Sequence, residues 1–399
     1  MRPRHILLIT ATLLWSVIAG AGPASAGTGY IQSNLVSDLP GVATFLDPNL
    51  KNPWGMASTP TSPIWVADNH TGVTTLYNGS GVAQALVVTI PPPAGGNGPS
   101  APTGNVFNAS TTDFNVAGAG TPAHFIFATE DGTIAAWNSG TSAVLKVDNS
   151  ASGAVYKGLA IGNNGAGNFL YATNFSAGTI DVFNGSFSPT TLAGNFTDPN
   201  LPAGFAPFGI QNIGGILFVT YAKQDAAKHD DVAGPGNGYV NRFDTNGNLL
   251  SRFASGGALN SPWGLAAAGA SFGDLSGLIL VGNFGDGKIN GFNALTGAFV
   301  NTLNNPAGNP IAIPGLWALL FGNGGTGGLT SELFFSAGIP GPDEVEDHGL
   351  FGKFAAVPGP PPGIPALQLP LAVLLALFLA AAGMAMLNRR RSRRLPTAD

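Results

Sequence analysis

Short apolar runs of four to eight residues recur along the chain, and polar turns rich in glycine and asparagine separate them. One unit begins with Pro-Trp-Gly at 53–55, continues with an apolar run at 64–67, and ends with Gly-Val-Thr-Thr-Leu-Tyr-Asn at 72–78. The same order recurs at 157–184 and at 262–293. Runs of this length between glycine and asparagine turns predict short β-strands.

Weaker copies of the same unit fill the gaps between the clear ones. The residues aligned with the first tryptophan are Trp54, Thr103, Lys157, Phe208, Trp263 and Trp317, at intervals of 49 to 55 residues. Six copies of a unit with three or four strands predict a six-bladed β-propeller, an all-β fold. No helical periodicity appears between residues 27 and 356, which argues against a helical solenoid.

The last copy lacks a fourth strand, because the chain enters a proline-rich segment soon after Phe354. The segment 29–36 near the beginning of the chain is strand-like and belongs to no copy. We therefore predict that it completes the sixth blade, a closure that removes an exposed sheet edge. A miscount, with five or seven blades, is the alternative.

The N-terminal 26 residues have the features of a signal peptide. Arg2 and Arg4 precede an apolar stretch at 6–20, and Ala24-Ser25-Ala26 forms a cleavage site of small residues. This pattern predicts export. A retained N-terminal anchor is the alternative.

A second apolar segment lies near the C-terminus. We divide the chain after the propeller (27–356) into a proline-rich linker (357–366), a membrane-spanning helix (367–387) and an arginine-rich tail (388–399). About 20 apolar residues suffice to cross a bilayer. Because arginines next to a span favour the cytoplasmic side, the propeller is expected outside.

Charge and cysteine content narrow the functional classes. Only 9% of the residues are charged, and cysteine is absent, which excludes disulfides and thiolate metal sites. Between residues 27 and 365 there are nine Lys and Arg against 20 Asp and Glu. A body this acidic has no basic surface for phosphates, so we expect no nucleic-acid partner.

The acidic residues concentrate in particular loops. In a propeller, the loops that follow the second strands converge on one face, and here they hold 11 of the 20 acidic residues of the body. Carboxylate and amide oxygens without thiolates suit Ca²⁺. The predicted metal ligands are Asp68, Asn69, Asn174, Asn283, Asp343 and Glu344. The alternative is that these are solvated residues that keep a charge-poor protein soluble.

The same loops supply a predicted binding face, formed by His70, Glu130, Asp131, Tyr221, His229, Asp230, Asp286 and His348. The aromatic residues that begin the first strands are interpreted as packing between blades, with a stacking platform for a ligand as the alternative. The motif His-Glu-x-x-His is missing from the body, and no catalytic residue is assigned.

The C-terminal segment resembles bacterial C-terminal sorting signals. The residues that carry this resemblance are Val357, Pro358, Gly359, Pro360, Ile364, Pro365, Ala366 and Leu367. They are similar to Val-Pro-Glu-Pro and Ile-Pro-Thr-Leu motifs, with Gly359 in place of Glu and Ala366 in place of Thr. The resemblance implies processing by a sortase-like enzyme, and a plain tail anchor is the alternative.

The repeats are similar to six-bladed propellers of the NHL type. The segments 52–55 and 65–69 resemble an uncharacterised family of secreted bacterial propellers, which implies fold and location but no reaction. We expect an exported binding or structural module with a polysaccharide or a surface protein as partner, and calcium on its acidic face is the candidate cofactor. The alternative is a metal-dependent hydrolase of the lactonase or esterase type, in which Asp68, Asn174 and Asn283 hold the cation. The base would then be His70, His229 or His348.

Overall fold

Six β-sheets follow one another along the chain, one for each sequence repeat, and all their strand pairs are antiparallel except one short pair in the sixth sheet. The computed structural model describes residues 29–342 and 346–357, together with Ala380 and Met384. Two strands, β1 (Gly29–Ser37) and β2 (Phe45–Leu46), come first and belong to the sixth sheet. The two parallel strands pair over Val36 and Ser37.

The first three blades span residues 53–184. Blade 1 contains β3 (Pro53–Ala57), β4 (Ile64–Asp68), β5 (Val73–Tyr77) and β6 (Val88–Thr89). Blade 2 contains β7 (Pro102–Phe107), β8 (Phe125–Thr129), β9 (Thr133–Trp137) and β10 (Val144–Asp148). Blade 3 has three strands, which are β11 (Tyr156–Asn163), β12 (Asn168–Asn174) and β13 (Thr179–Asn184).

The remaining blades follow in the same order. Blade 4 contains β14 (Phe205–Ile213), β15 (Ile216–Lys223), β16 (Tyr239–Phe243) and β17 (Leu249–Ser255). Blade 5 contains β18 (Pro262–Ala267), β19 (Leu278–Asn283), β20 (Ile289–Asn293) and β21 (Phe299–Thr302). Blade 6 combines β22 (Leu316–Phe321), β23 (Glu332–Ile339) and β24 (His348–Val357) with β1 and β2. Two single-turn 3₁₀ helices lie at Ser150–Ser152 and Gly273–Leu275.

The six-bladed prediction is confirmed, and so is the closure of the ring by the N-terminal strand. Strand β1 pairs antiparallel with β24 from Gly29↔Val357 to Ser37↔Leu350. The buried Tyr30 hydroxyl also donates a hydrogen bond of 2.8 Å to the carbonyl oxygen of Phe272 in blade 5. The two ends of the propeller therefore close its last sheet together, which leaves no open edge between them.

Close packing between blades explains why glycine follows the marker position, as in the Pro-x-Gly pattern of Pro-Trp-Gly at 53–55. Five first strands carry glycine directly after the marker position, namely Gly55, Gly104, Gly158, Gly209 and Gly264. At each of them an added Cβ would meet the backbone of the next blade, and for Gly158 it would lie 2.9 Å from the Phe208 carbonyl oxygen. Glycine thus allows the first strands to approach one another closely around the axis.

Several predictions from the sequence concern residues outside those described. They are the signal peptide (1–26), the linker beyond Val357, the spanning helix (367–387) and the tail (388–399), apart from Ala380 and Met384. Val357, the predicted first residue of the linker, is the last residue of β24. Within the described ranges, no helix has the length and apolar character that crossing a membrane requires.

Candidate functional site

Aromatic side chains from four blades meet on the axis. The Trp54 and Trp317 rings stack with centroids 3.5 Å apart, and Trp263 lies edge-on to them at 6.1 and 5.7 Å. The Phe208 ring lies 5.8 Å from Trp317. All four side chains are at least nine-tenths buried. Their burial agrees with packing between blades and not with an exposed stacking platform.

Blade 3 places a lysine at the equivalent position. Lys157 is 1% exposed, and its ammonium lies 5.1 Å from the centroid of the Trp54 ring. It forms ion pairs with Glu130 and, at 3.1 Å, with Asp230. Burial lowers the pKa of Lys157, but the two carboxylates outweigh it and leave that pKa above its ordinary value. The axis therefore holds a buried positive charge, fixed from two neighbouring blades.

A polar network extends from this ion pair across blades 1 and 6. Asn69 Nδ2 donates to Glu130 Oε2 at 2.8 Å, and Asn52 Nδ2 donates to Glu346 Oε1 at 2.9 Å. Asn52 Nδ2 is also 3.2 Å from His70 Nε2. Asn52 has a φ of +45°, a left-handed conformation that asparagine tolerates better than most residues.

Glu346 is the carboxyl group of this network that holds its proton at neutral pH. Burial raises its pKa to about 8, and the charges of Glu130 and Asp230 add to that increase. The hydrogen bond from Asn52 and the charge of Lys157 act in the opposite direction. At neutral pH Glu346 is therefore mostly protonated, and it can donate a hydrogen bond as well as accept one.

We call the end of the axis that carries this polar network the mouth. Each blade contributes to it the residue that directly follows the strand partner of the residue before its marker position. By strand register these positions are Asn69, Glu130, Phe175, Ala222, Phe284 and Gly338. Phe284 is partly exposed, and its ring stacks on Trp317 with centroids 4.2 Å apart. The mouth thus has a hydrogen-bonding side in blades 1 and 2 and an apolar side in blades 3, 4 and 5.

Asp68, a predicted metal ligand, lies away from this network. Its Oδ2 accepts hydrogen bonds from the Thr75 backbone N–H at 3.1 Å and from the Thr75 hydroxyl at 2.8 Å. Complete burial raises the pKa of Asp68 well above its usual range. A buried acid that holds β4 to β5 through hydrogen bonds serves the structure of its own blade.

The other predicted metal ligands also differ in whether their hydrogen bonds reach the mouth network. Asn174 Nδ2 donates to Asp181 Oδ2 and Asn283 Nδ2 donates to Asp286 Oδ1, both at 3.0 Å and both within one blade. Among the predicted metal ligands that the structure describes, only Asn69 contacts the mouth network. The structure thus does not bring Asp68, Asn174 and Asn283 together through their hydrogen bonds. Asp343 and Glu344 lie outside the described residues.

Part of the predicted binding face does come together. His229 Nδ1 lies 2.9 Å from Asp230 Oδ1, the same oxygen that pairs with Lys157. One potential ligand atom from each of Glu130, His229 and Asp230 lies within 4.8 Å of the others. With His70, these are the four predicted face residues that the network contains.

The remaining predicted face residues have local partners. Asp131 Oδ2 accepts a hydrogen bond of 2.8 Å from the Ala101 backbone, and Asp286 pairs with Lys288 at 3.1 Å. His348 Nδ1 lies 2.7 Å from Asp38 Oδ2, in the closing sheet. Tyr221 is 3% exposed and packs in a hydrophobic cluster between blades 3 and 4.

Four residues of the mouth were not selected from the sequence, namely Asn52, Lys157, Phe284 and Glu346. The signal for Lys157 was its alignment, because it is the one charged residue among the six marker positions. Glu346 stands in an acidic run, and Asn52 directly precedes Pro-Trp-Gly. For Phe284 only the register of its blade supplies a signal.

Comparison with known proteins gives the chain its relatives. No protein-family model matches it. Uncharacterized protein L690 of Acanthamoeba polyphaga mimivirus is 33% identical over 351 residues, which are 83% of this chain and 87% of the relative. Uncharacterized protein R648 of the same virus is 32% identical over 312 residues, 75% of each chain. The chain belongs to the family of these mimivirus proteins.

One solved structure agrees with the fold, and a second is reported beside it. A protein of unknown function from Bacteroides thetaiotaomicron has a TM-score of 0.50, with 11% identity over 84% of this chain and 74% of that one. A virginiamycin B lyase from Staphylococcus aureus has a TM-score of 0.46, with 15% identity over 83% of this chain and all of that one. At these identities the likeness concerns the fold alone.

The relatives test part of the prediction about which family the chain belongs to. Membership of an uncharacterised family with a six-bladed propeller is confirmed. The two relatives are viral, whereas the sequence resemblance indicated bacterial proteins. The bacterial sorting signal stays a prediction.

Proposed function

We propose that the protein is an exported binding module that recognises a sugar ring of a polysaccharide at the mouth. One observation carries this proposal, which is that a partly exposed Phe284 ring lies at the same end of the axis as the polar side chains of Asn69 and Glu130. A pyranose ring has an apolar face and an edge of hydroxyl groups. A site with an aromatic surface and a few convergent polar groups complements both.

Further polar groups support the same ligand class. Asp230 is largely exposed, with 66% of its side chain accessible, and can accept from a hydroxyl group. Glu346 is mostly protonated at neutral pH and can donate to one. Lys157 is enclosed by its two carboxylates, so it organises the mouth and does not itself reach a ligand.

Binding is tested with the full chain and a panel of soluble polysaccharides, namely dextran, xylan, alginate and soluble chitin oligomers. Titration calorimetry on the wild-type chain should identify at least one ligand. Phe284→Ala should lower the affinity for that ligand about tenfold or more. Phe299→Ala is the matched control, since Phe299 lies 50% exposed on the outer strand of the same blade.

The outcomes separate the possible partners. Equal loss in both variants, or none in either, would place binding elsewhere and contradict the proposal. Failure of every polysaccharide would also contradict it, and would direct the search towards a surface protein.

The cellular location is part of the same proposal. The signal peptide (1–26) and the span (367–387) predict a propeller outside the membrane and an arginine tail inside. In intact cells, external protease should digest the propeller and leave an epitope at the C-terminal tail intact. If a sortase-like enzyme removes the span, the tail epitope should separate from the propeller during maturation.

Calcium binding at the mouth is proposed as an accompanying property. Glu130 and Asp230 offer carboxylate oxygens that lie within 4.8 Å of each other, and Asp230 is open to solvent. Because Lys157 already pairs with both carboxylates, a cation has to share them or displace the lysine. In a thermal melt of chelator-treated protein, Ca²⁺ at 100 times its dissociation constant should raise the free energy of unfolding by about 2.7 kcal/mol. No shift up to millimolar Ca²⁺ would remove calcium from the proposal.

A metal-dependent hydrolase is the second candidate, and the same cluster of Glu130, His229 and Asp230 favours it. The mechanism would require a cation to activate water and His70 or His229 as base. The full chain should then hydrolyse a lactone or ester in the presence of a divalent metal, and Asp230→Asn should abolish the activity. Lys157 beside the carboxylates makes this the weaker candidate.

A further inference from the structure

A groove opens between blades 1 and 6, where the ring closes. Its volume of about 390 Å³ lies within the range of about 300–1,000 Å³ that ligand pockets have. Blade 1 contributes the turn that follows β5, and blade 6 contributes the loop between β22 and β23 with one residue from each of β23 and β24. Both connections lie opposite the loops that follow second strands, so the groove is on the face opposite the mouth.

The backbone around the groove is held from both blades. The Gly79 N–H donates to the Thr326 carbonyl oxygen at 2.9 Å, and an added Cβ at Gly79 would meet the Cα of Gly328. Within the turn of blade 1, Asn78 Oδ1 accepts from the Ser80 backbone N–H at 2.9 Å. A ligand that enters the groove therefore does not have to order these segments first, which lowers the entropic cost of binding.

An ion pair gives the groove a donor and an acceptor side by side. Lys353 Nζ lies 2.6 Å from Glu332 Oε1, and the two side chains are 20% and 14% exposed. The lysine also donates to the Gly79 carbonyl oxygen at 3.1 Å, and Glu332 Oε2 accepts from the Leu329 backbone N–H at 3.2 Å. An ammonium has three donors and a carboxylate has about four lone-pair sites, so both groups have capacity beyond these bonds.

The rim of the groove is open to solvent. Ser80 and Thr326 are exposed residues from opposite sides of the groove, and each has a hydroxyl group that can donate and accept. Leu329 is 62% exposed and supplies an apolar surface beside them. Because the ion pair is neutral as a whole, a charged ligand would lose hydration without gaining an unpaired opposite charge. The groove thus favours a neutral ligand that both donates and accepts hydrogen bonds.

We propose that this groove is a second binding site, which takes a neutral saccharide. Neighbouring hydroxyl groups of a sugar ring match the ion pair, since one can donate to Glu332 while the other accepts from Lys353. The hydroxyl groups of Ser80 and Thr326 pair with further hydroxyl groups of the sugar, and its apolar face lies against Leu329. The proposal does not rest on sugar binding at the mouth, because the two sites lie on opposite faces.

Methyl NMR of the full chain tests the site through the Leu329 signals, which are assigned by their loss in Leu329→Val. The probes are cellobiose and maltose, and the control probe is tetraethylene glycol, which lacks neighbouring hydroxyl groups. We expect at least one disaccharide to shift the Leu329 signals saturably, and tetraethylene glycol to bind at least about tenfold more weakly. Equal shifts with tetraethylene glycol, or no shift with either disaccharide, would overturn the proposal.

Two variants test the position and the chemistry of the site. Ser80→Trp fills the groove from an exposed position and should abolish the sugar-dependent shift. Ser186→Trp is the matched control, because exposed Ser186 occupies the same place in the Asn-Gly-Ser turn of blade 3, where Asn184 Oδ1 accepts from its backbone N–H at 2.9 Å. Glu332→Gln keeps the size of the side chain, removes its charge and should lower the affinity about tenfold.

The remaining outcomes separate this site from the mouth. Phe284→Ala should leave the sugar-dependent Leu329 shift unchanged, whether or not the mouth takes a sugar. A shift that Ser80→Trp retains would overturn the proposal, and so would an equal loss in Ser186→Trp.

Discussion

At the scale of single residues, Glu346 shows how burial and neighbouring charge set the chemistry of the mouth. Its pKa of about 8 exceeds the ordinary value of 4.5, so the folded protein holds a proton that the unfolded chain releases. The contribution of this group to stability is fully present below about pH 4.5 and is lost as the pH rises towards 8.

Glu346→Gln removes this pH dependence. Above pH 8 the variant should be more stable than the wild type by roughly 2–4 kcal/mol, because the folded protein no longer has to bury a negative charge there. Urea denaturation at several pH values measures the effect. Asp148→Asn is the control, since Asp148 is exposed and its pKa is lowered, mainly by Ser150. An unchanged slope between pH 4.5 and 8 in Glu346→Gln would contradict the assignment.

At the scale of the strand, close contact between first strands decides which residues can follow the marker position. An added Cβ at Gly209 would meet the Trp263 carbonyl oxygen of blade 5, and it would lie 3.0 Å from Thr220 Oγ1. Backbone cannot move aside as a flexible side chain can. The Pro-x-Gly pattern that defines the repeat is thus a consequence of packing between blades.

Gly209→Ala should therefore destabilise the protein by about 1–3 kcal/mol or more, as overpacking does. Gly269→Ala is the matched control, because an added Cβ there has nothing within 4 Å and Gly269 does not have a positive φ. The control should be neutral or stabilising by up to about 1 kcal/mol. Thermal melts of the two variants measure the difference, and equal midpoints would refute this explanation of the pattern.

The apolar runs that predict strands in the sequence agree well with the strands of the structure. The apolar runs at 64–67 and 278–281 lie in β4 and β19, and the unassigned segment 29–36 lies in β1, beside β24. The alignment of markers also holds, because Trp54 follows Pro53, which pairs with Asp68, just as Trp263 follows Pro262, which pairs with Asn283. Local periodicity is sufficient for such elements because each blade repeats one supersecondary unit.

At the scale of the whole molecule, the ion pairs of Lys157 connect three blades. Glu130 comes from blade 2 and Asp230 from the loop of blade 4, while the lysine stands on β11 of blade 3. Removal of the lysine leaves the mostly buried Glu130 without its cation. Breaking a buried pair in this way costs about 3–5 kcal/mol.

A double-mutant cycle tests this connection. Lys157→Met should be strongly destabilising, and the double variant with Glu130→Gln should recover most of the loss, because the one carboxylate still without the lysine is Asp230, which is largely exposed to solvent. Lys288→Met is the control, since its pair with Asp286 is partly exposed and such pairs contribute about 0–1 kcal/mol. Denaturation curves at neutral pH measure all four variants. Additive effects of the two mutations would contradict the coupling.

The sequence by itself determined the blade, the number of blades and the strand that closes the ring, because these depend on a repeated local pattern. Only the tertiary structure decided which loop residues form the mouth. Asp68 and Asn69 are neighbours, yet Asp68 is fastened to Thr75 within its blade while Asn69 reaches Glu130 in the next. Asp68 is the last residue of β4 and Asn69 begins the turn that follows, so a shift of one position along the chain gives the side chain different neighbours. Lys157 became recognisable as part of the site only when packing around the axis placed it between two carboxylates.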